Sequence, residues 1–242
     1  MSRVVITGSA GGLGRAAASA LLDEGHQVVL HARTSDRLAE VADLVERGAT
    51  ATSGDLSNPD GSRQVADQVN RLGRMDAVIH NAGVYRGPDI LAVNVVAPYL
   101  LTALIERPSR LIYLSSGMHR GGIPSLRGLD PASGRSVSYS DSKLLVTTFA
   151  AALARRWPDV LVNSVDPGWV PTRMGGPGAT DDLRLGHVTQ VWLAVSSEPE
   201  ALTSGRYWYH QRRQEPHRAV RDPSFQDELL AALEHLTGVA LP

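Results

Sequence analysis

Cysteine is absent from this 242-residue chain, which excludes disulfides and metal sites held by thiolates. The absence fits a reducing compartment. Lysine is almost absent: Lys143 stands alone among the 24 residues counted as Lys plus Arg. No apolar run approaches the ~20 residues that a membrane-spanning helix needs. The opening Met1-Ser2-Arg3-Val4-Val5-Ile6-Thr7 runs straight into a strand-like stretch and leaves no room for a signal peptide. Charge imbalance is missing too. A net charge of −1, with 43% hydrophobic and 20% charged residues, draws the chain to neither nucleic acid nor an anionic membrane. The eight histidines show no metal-like clustering; His31 and His80 read as satisfied core or rim residues. These absences point to a soluble, cytoplasmic globular protein with no metal site.

Short apolar runs alternate with longer segments of helical period. Strands are expected over 3–7, 27–31, 50–53, 76–80, 110–115, 160–165 and 205–209. Helices are expected over 12–24, 36–47, 59–72, 90–105, 137–157, 182–197 and 224–236. Strict alternation argues for one doubly wound α/β domain over 1–242: a parallel sheet between two helical layers, with a helical C-terminal tail. The Gly-, Pro- and Arg-rich stretches 117–136 and 167–180 both follow strand ends, where open α/β sheets bind ligands. Arginine after the last strand, in Tyr209-His210-Gln211-Arg212-Arg213, reads as a solvated exit rather than a nucleic-acid patch.

The first strand leads into Thr7-Gly8-Ser9-Ala10-Gly11-Gly12-Leu13-Gly14 and at once into a helix. Glycines there permit a tight turn and close approach of backbone to a pyrophosphate at the positive helix N-terminus. Lys143 lies four residues after Tyr139, so the two side chains share one helix face. A phenol titrating near ~10 is a poor base at neutral pH, and a close cation favours its ionised form. Arginine would bring the charge as a planar fork rather than a compact ammonium. Pro98 has no N–H for the carbonyl four residues back, which is that of Asn94, so a kinked helix with a free carbonyl is expected there.

Taken in order, these motifs resemble the short-chain dehydrogenase/reductase family. They are Thr7-Gly8-x-x-x-Gly12-x-Gly14, His80-Asn81-Ala82-Gly83, Asn94, Ser115-Ser116, Tyr139-x-x-x-Lys143 and Pro167-Gly168-x-Val170-x-Thr172. The resemblance covers essentially the whole chain. It implies an NAD(P)-dependent enzyme that interconverts a carbonyl and an alcohol on a small molecule. Tyr139 would be the general acid/base, with Lys143 lowering its pKa and bonding the nicotinamide ribose. Ser116 would stabilise the substrate oxygen, in preference to Ser115, and the Asn94 carbonyl would hold a relay water. Gly8, Ser9, Gly12, Leu13 and Gly14 would cradle the cofactor, with Asp55 and Leu56 at the adenine. Asn81, Ala82 and Gly83 would continue the cradle, and Pro167, Gly168, Val170 and Thr172 would lie under the nicotinamide.

Cofactor choice is read after the second strand. The position that carries an acid in NAD(H) enzymes is Ala32, and Arg33 follows it. An arginine accommodates the 2′-phosphate, so NADP(H) is favoured with NAD(H) as the alternative.

The pattern departs from the family in two places. Ser116 and Tyr139 stand 23 residues apart, an insertion that, with the tail, resembles the retinol-dehydrogenase-like branch. The stretch from Gly83 to Asn94 is short. Arg120, Arg127 and Arg135 in the insertion do not suit a membrane lipid, so a retinoid substrate does not carry over. Residues 147–157 suit either the contact face of a homodimer or homotetramer or an intramolecular core. Two other functions share parts of the pattern: a non-catalytic NADP(H)-binding redox regulator, and a sugar-nucleotide epimerase or dehydratase.

Overall fold

The computed structural model describes residues 1–242, the side chain of Pro131 excepted. The apolar runs become β1 (Arg3–Ile6), β2 (Gln27–Ala32), β3 (Thr50–Ser53), β4 (Ala77–His80), β5 (Arg110–Leu114), β6 (Leu161–Asp166) and β7 (Arg206–Tyr209). They pair in parallel in the order β3-β2-β1-β4-β5-β6-β7. Chain order reverses at β1, which lies between β2 and β4, and a crevice opens beyond the strand ends at such a point.

Helices cover both faces. On one, α1 (Gly12–Asp23), α2 (Ala42–Glu46) and α6 (Val188–Val195) bury Leu21, Leu44 and Val191 against Ile6, Leu30 and Ile112. On the other, α3 (Pro59–Arg71), α4 (Ala97–Leu104), α5 (Tyr139–Arg156) and α7 (Pro223–Thr237) share a core with Val5, Val78 and Leu111. The result is the doubly wound, three-layer α/β domain that the alternation predicts. Among the described residues no helix is long and apolar enough to cross a membrane.

In residues 147–157, Thr147, Thr148, Phe149, Ala150, Ala152, Leu153 and Trp157 face inward, while Arg155 and Arg156 are exposed. Phe149, Leu153 and Trp157 of this stretch pack in the same core as Leu229, Leu230 and Leu233 of α7, and Arg155 bonds Gln226 at 3.0 Å. Leu229 and Leu233 are fully buried, each stabilising the fold by about 1.5–3 kcal/mol. The last residues are tied down as well: Tyr99 donates to the Val239 carbonyl at 2.6 Å and the Trp157 indole to that of Pro242 at 3.2 Å.

Three elements depart from the periodicity. The helix expected over 36–47 is a 3₁₀ turn, Asp36–Val41, followed by α2, with the break at the fully buried Val41 (φ −125°, ψ 21°). The helix expected over 182–197 begins only at Val188. A further strand, β8 (Arg212–Gln214), returns antiparallel to β7 through His210 and Gln211 at φ 45° and 58°. Three exposed polar residues after a glycine-free turn carry no strand signal, yet such a hairpin needs positive φ at both turn residues.

Candidate active site

At the cofactor end, the turn after β1 is held from three sides. Thr7 Oγ1 accepts from the backbone N–H of Asn81 and of Ala82, both at 3.0 Å, and Asn81 Nδ2 donates to the carbonyls of Thr7 and Gly8. Gly8 takes φ 65°, and a Cβ there would stand 2.9 Å from Ala82 Cα. A Cβ on Gly14 would stand 2.5 Å from Asn81 Nδ2 and 2.7 Å from the Gly8 carbonyl. His31 Nδ1 accepts from the Gly8 N–H at 3.0 Å, so its Nε2 carries the proton that meets the Gly54 carbonyl at 2.9 Å. Burial keeps this imidazole neutral by lowering its pKa.

The mouth of α1 is open. Its N-cap is Gly11, no side chain caps its N–H groups, and its first turn holds no acid. Unsatisfied N–H groups at a helix N-terminus attract an anion. The cleft that begins here runs on past β4, β5 and β6 and measures about 2520 Å³.

The helix that carries Tyr139 starts sharply. Ser138 and Asp141 form a capping box, with Ser138 Oγ accepting from the Asp141 N–H at 3.1 Å. Tyr139 is thereby the first residue of α5, half-buried at the cleft, with Tyr85 against it edge-on at 4.8 Å. Lys143, one turn on, is buried at 5% exposure; its Nζ donates to the Leu114 carbonyl at 2.7 Å and lies 5.6 Å from the Tyr139 ring centre. Both serines line the cleft, but the Ser115 hydroxyl turns into the core to bond Thr147 at 2.6 Å, whereas that of Ser116 accepts from the Met118 N–H at 3.2 Å.

The electrostatics correct one expectation. Burial pushes Tyr139 up to about 12, with Asp166 and Tyr85 adding to the rise and Ser116 opposing it. Lys143 does not pull the phenol below its ordinary range here. Its own desolvation brings it down to about 8, against the pull of Asp166, and its ammonium is engaged by Leu114.

Of the residues expected at the site, Gly8, Gly12, Leu13, Arg33, Asp55, Leu56, Asn81, Ala82, Gly83, Ser116, Tyr139, Lys143, Pro167, Gly168, Val170 and Thr172 line this one cleft. Ser9, Gly14 and Asn94 do not; they frame it from behind. Ser9 is fully buried, donating to the Ile6 carbonyl at 3.0 Å and accepting from the His31 N–H at 2.8 Å. Gly14 packs under Asn81. Asn94 spends its amide on Val84, accepting from its N–H at 2.8 Å and donating to its carbonyl at 2.9 Å, and reaches Ser142 at 3.0 Å. That clamp anchors the short wall between Gly83 and Asn94. The expected irregularity is a π turn over Ala92–Val96, where the Ala97 N–H reaches back to the Ala92 carbonyl. Arg33, at the end of the cleft beside β2, pairs with Asp55 at 2.8 Å, while Asn58 is the residue that caps α3.

Asp166 and Tyr207 in the cleft, and His119 buried behind its wall, carried no motif of their own. Asp166 ends β6, and Tyr207, 41 positions later, donates to its Oδ2 at 3.1 Å. His119 is fully buried. Its Nδ1–H donates to the Ser116 carbonyl at 2.7 Å, its Nε2 accepts from the His217 N–H at 3.0 Å, and its ring leans on Tyr207 at 4.6 Å. Desolvation lowers its pKa, consistent with that neutral tautomer.

Residues 2–182 match the family model described as short chain dehydrogenase. The chain belongs to the short-chain dehydrogenase family. It is 38% identical to an uncharacterized oxidoreductase of Emericella nidulans, over 100% of this chain and 99% of that one. It is 34% identical to a daunorubicin C-13 ketoreductase, so named on a putative basis, of a Streptomyces strain, over 98% of this chain and 92% of that one. Retinol dehydrogenase 14 of Mus musculus is 28% identical over 98% of this chain and 86% of its own, in keeping with the resemblance to that branch. Among solved structures, a Mycobacterium paratuberculosis protein of unassigned function superposes with a TM-score of 0.85 at 24% identity, covering 100% and 95% of the two chains, which speaks for the fold. This protein is therefore an oxidoreductase of the short-chain dehydrogenase/reductase type.

Proposed function

We propose that this short-chain dehydrogenase interconverts a carbonyl and an alcohol on a small organic substrate with NADP(H) as cofactor. One observation carries the reading: Ser116, Tyr139 and Lys143 converge on a cleft continuous with the uncapped N-terminus of α1. The glycine turn and the α1 N–H groups would hold the pyrophosphate, and Lys143 the nicotinamide ribose. When bound, the nicotinamide supplies the hydride.

The chain's own part is proton transfer and charge stabilisation. With its phenol pushed up to about 12, Tyr139 stays protonated through neutral pH and is a donor to a carbonyl oxygen as negative charge develops on it. Ser116 Oγ, beside it, donates a second hydrogen bond to that oxygen, an interaction strengthened where water is excluded. Lys143, whose ammonium is held by the Leu114 carbonyl here, would have to leave or share that bond to stabilise the tyrosinate left behind. NADP(H) is favoured because Arg33 and Arg37 both line the adenosine end, where a 2′-phosphate would compete with Asp55 and Glu40 for their guanidiniums.

The test follows NADPH absorbance over a panel of ketones, aldehydes and alcohols. Wild type consumes NADPH with at least one carbonyl. Tyr139→Phe loses turnover by about 100-fold or more, the scale of removing a general acid, while NADPH binding stays nearly intact. Unchanged turnover in Tyr139→Phe, or no turnover with any carbonyl, removes the reading.

A further inference from the structure

A buried carboxylate to which the proposed reaction assigns no role lies near the proposed proton donor. Asp166 is 8% exposed at the end of β6 and lines the cleft. Oδ1 accepts from the Gly168 N–H at 3.1 Å and Oδ2 from the Tyr207 hydroxyl at 3.1 Å. Both donors are neutral. A carboxylate offers about four acceptor sites, so capacity remains. Among the described residues no Lys, Arg or His forms an ion pair with it.

The neighbouring cations are engaged elsewhere. Lys143 Nζ is on the Leu114 carbonyl, and Arg120 donates to the Glu215 carbonyl at 3.0 Å with its guanidinium 5.2 Å over the Tyr207 ring. A desolvated charge without a matched partner is costly, and a binding site keeps one where the ligand supplies the partner. Glycine at position 117 keeps a side chain off this carboxylate: a Cβ there would stand 3.0 Å from Oδ2 and 3.9 Å from Arg120 Nη1. Around the same cleft, Tyr85, Met118, Trp169 and Met174 stay 38%, 45%, 55% and 46% exposed although large and apolar. Apolar surface gathered around polar groups in a cleft marks a ligand site.

The geometry points to Asp166 as a specificity-determining residue, selecting bulky apolar carbonyl substrates that carry a hydrogen-bond donor, ammonium or hydroxyl, next to the reacting carbon. The inference rests on the carbonyl–alcohol reading of the site. The apolar rim holds the body of the substrate, Tyr139 and Ser116 meet its carbonyl oxygen, and Asp166 accepts from its donor.

Three phenyl ketones of matched shape test it: α-aminoacetophenone, α-hydroxyacetophenone and propiophenone, whose methyl replaces the donor. Their binding to the enzyme loaded with NADP⁺, which cannot reduce them, is read by calorimetry. A hydrogen bond to a charged group is worth about 1.5–3 kcal/mol. Wild type is therefore expected to bind at least one donor-bearing ketone about 10–100-fold more tightly than propiophenone. Preference for the amine alone makes the donor cationic, whereas preference for both means that a neutral donor suffices. Asp166→Asn, with its folding checked by thermal melting, is expected to bring the ratio below about 3-fold, since the amide accepts without charge. Tyr207→Phe leaves the carboxylate in place and is expected to keep the preference, and it tests the idea even where Asp166→Asn misfolds. Equal binding of all three ketones by wild type, survival of the preference in Asp166→Asn, or its loss in Tyr207→Phe overturns the assignment. Turnover by NADPH absorbance is a separate readout. Selective binding without reduction of any ketone strikes the carbonyl–alcohol reading and spares Asp166; reduction of all three without preference does the reverse.

Discussion

Lys143 Nζ donates to the main-chain carbonyl of Leu114 across 2.7 Å, joining the helix of the candidate tyrosine to the end of the central strand β5. That bond holds the chain's single lysine in a buried place where an ammonium is disfavoured. Its pKa falls from an ordinary 10.5 to about 8, with burial the leading cause. Below pH 8 the lysine is charged in both folded and unfolded chains, and its full burial cost, about 3 kcal/mol, weighs on stability. Between the two values only the unfolded chain holds the proton, so stability rises with pH.

Lys143→Met removes that cost and loses the Leu114 hydrogen bond, worth about 1 kcal/mol. The variant is expected to melt several degrees above wild type at neutral pH, at about 2–4 °C per kcal/mol, while losing turnover. The gap should narrow as pH rises past 8 toward 10.5. Melting curves at several pH values read it; a variant less stable than wild type at every pH would contradict it.

Arg33 makes a largely exposed ion pair with Asp55, a contact worth about 0–1 kcal/mol. Arg33→Ala should therefore barely change melting. Its effect is expected on cofactor choice: NADPH affinity falls about 10-fold or more, the scale of a charge-assisted pair, and NADH affinity stays within about 2-fold. Titration with each dinucleotide decides it, and equal losses for both would remove Arg33 from phosphate recognition.

Gly14→Ala places a methyl 2.5 Å from the Asn81 amide and 2.7 Å from the Gly8 carbonyl. Backbone cannot yield cheaply there, so the substitution is expected to cost about 1–3 kcal/mol and to weaken dinucleotide binding by shifting the turn. Gly11→Ala is the control, since nothing lies within 4 Å of a Cβ at that position. Comparable melting of the two variants would contradict the account.

Much of this was legible before the fold because the motifs are local. The glycine turn announces a helix with free N–H groups, a four-residue offset puts Tyr139 and Lys143 on one face, and Pro98 marks the irregular turn around Asn94. Sequence spacing says which residues are near, not which way they point. Ser9 sits between two glycines of the cleft wall yet turns into the sheet, and Asn94 is consumed in bracing Val84. Contacts between distant segments left no trace at all. Asp166 meets Tyr207 across 41 positions and His119 meets His217 across 98, and neither residue type announces such a partner. The lowering of the Tyr139 pKa expected from Lys143 failed for a related reason, since burial, the larger influence, is a property of the packed site.

The bridge through His119 has a consequence for how such an enzyme diversifies. The family pattern ends at residue 182, yet Tyr207, Glu215 and His217 beyond it grip Asp166, Arg120 and His119 beside the reacting groups. The matched three-quarters of the chain hold the candidate groups of the site, and the last quarter supplies part of their packing. Substitutions in that tail are therefore expected to change which molecule is accepted without touching any of the motifs read from the sequence.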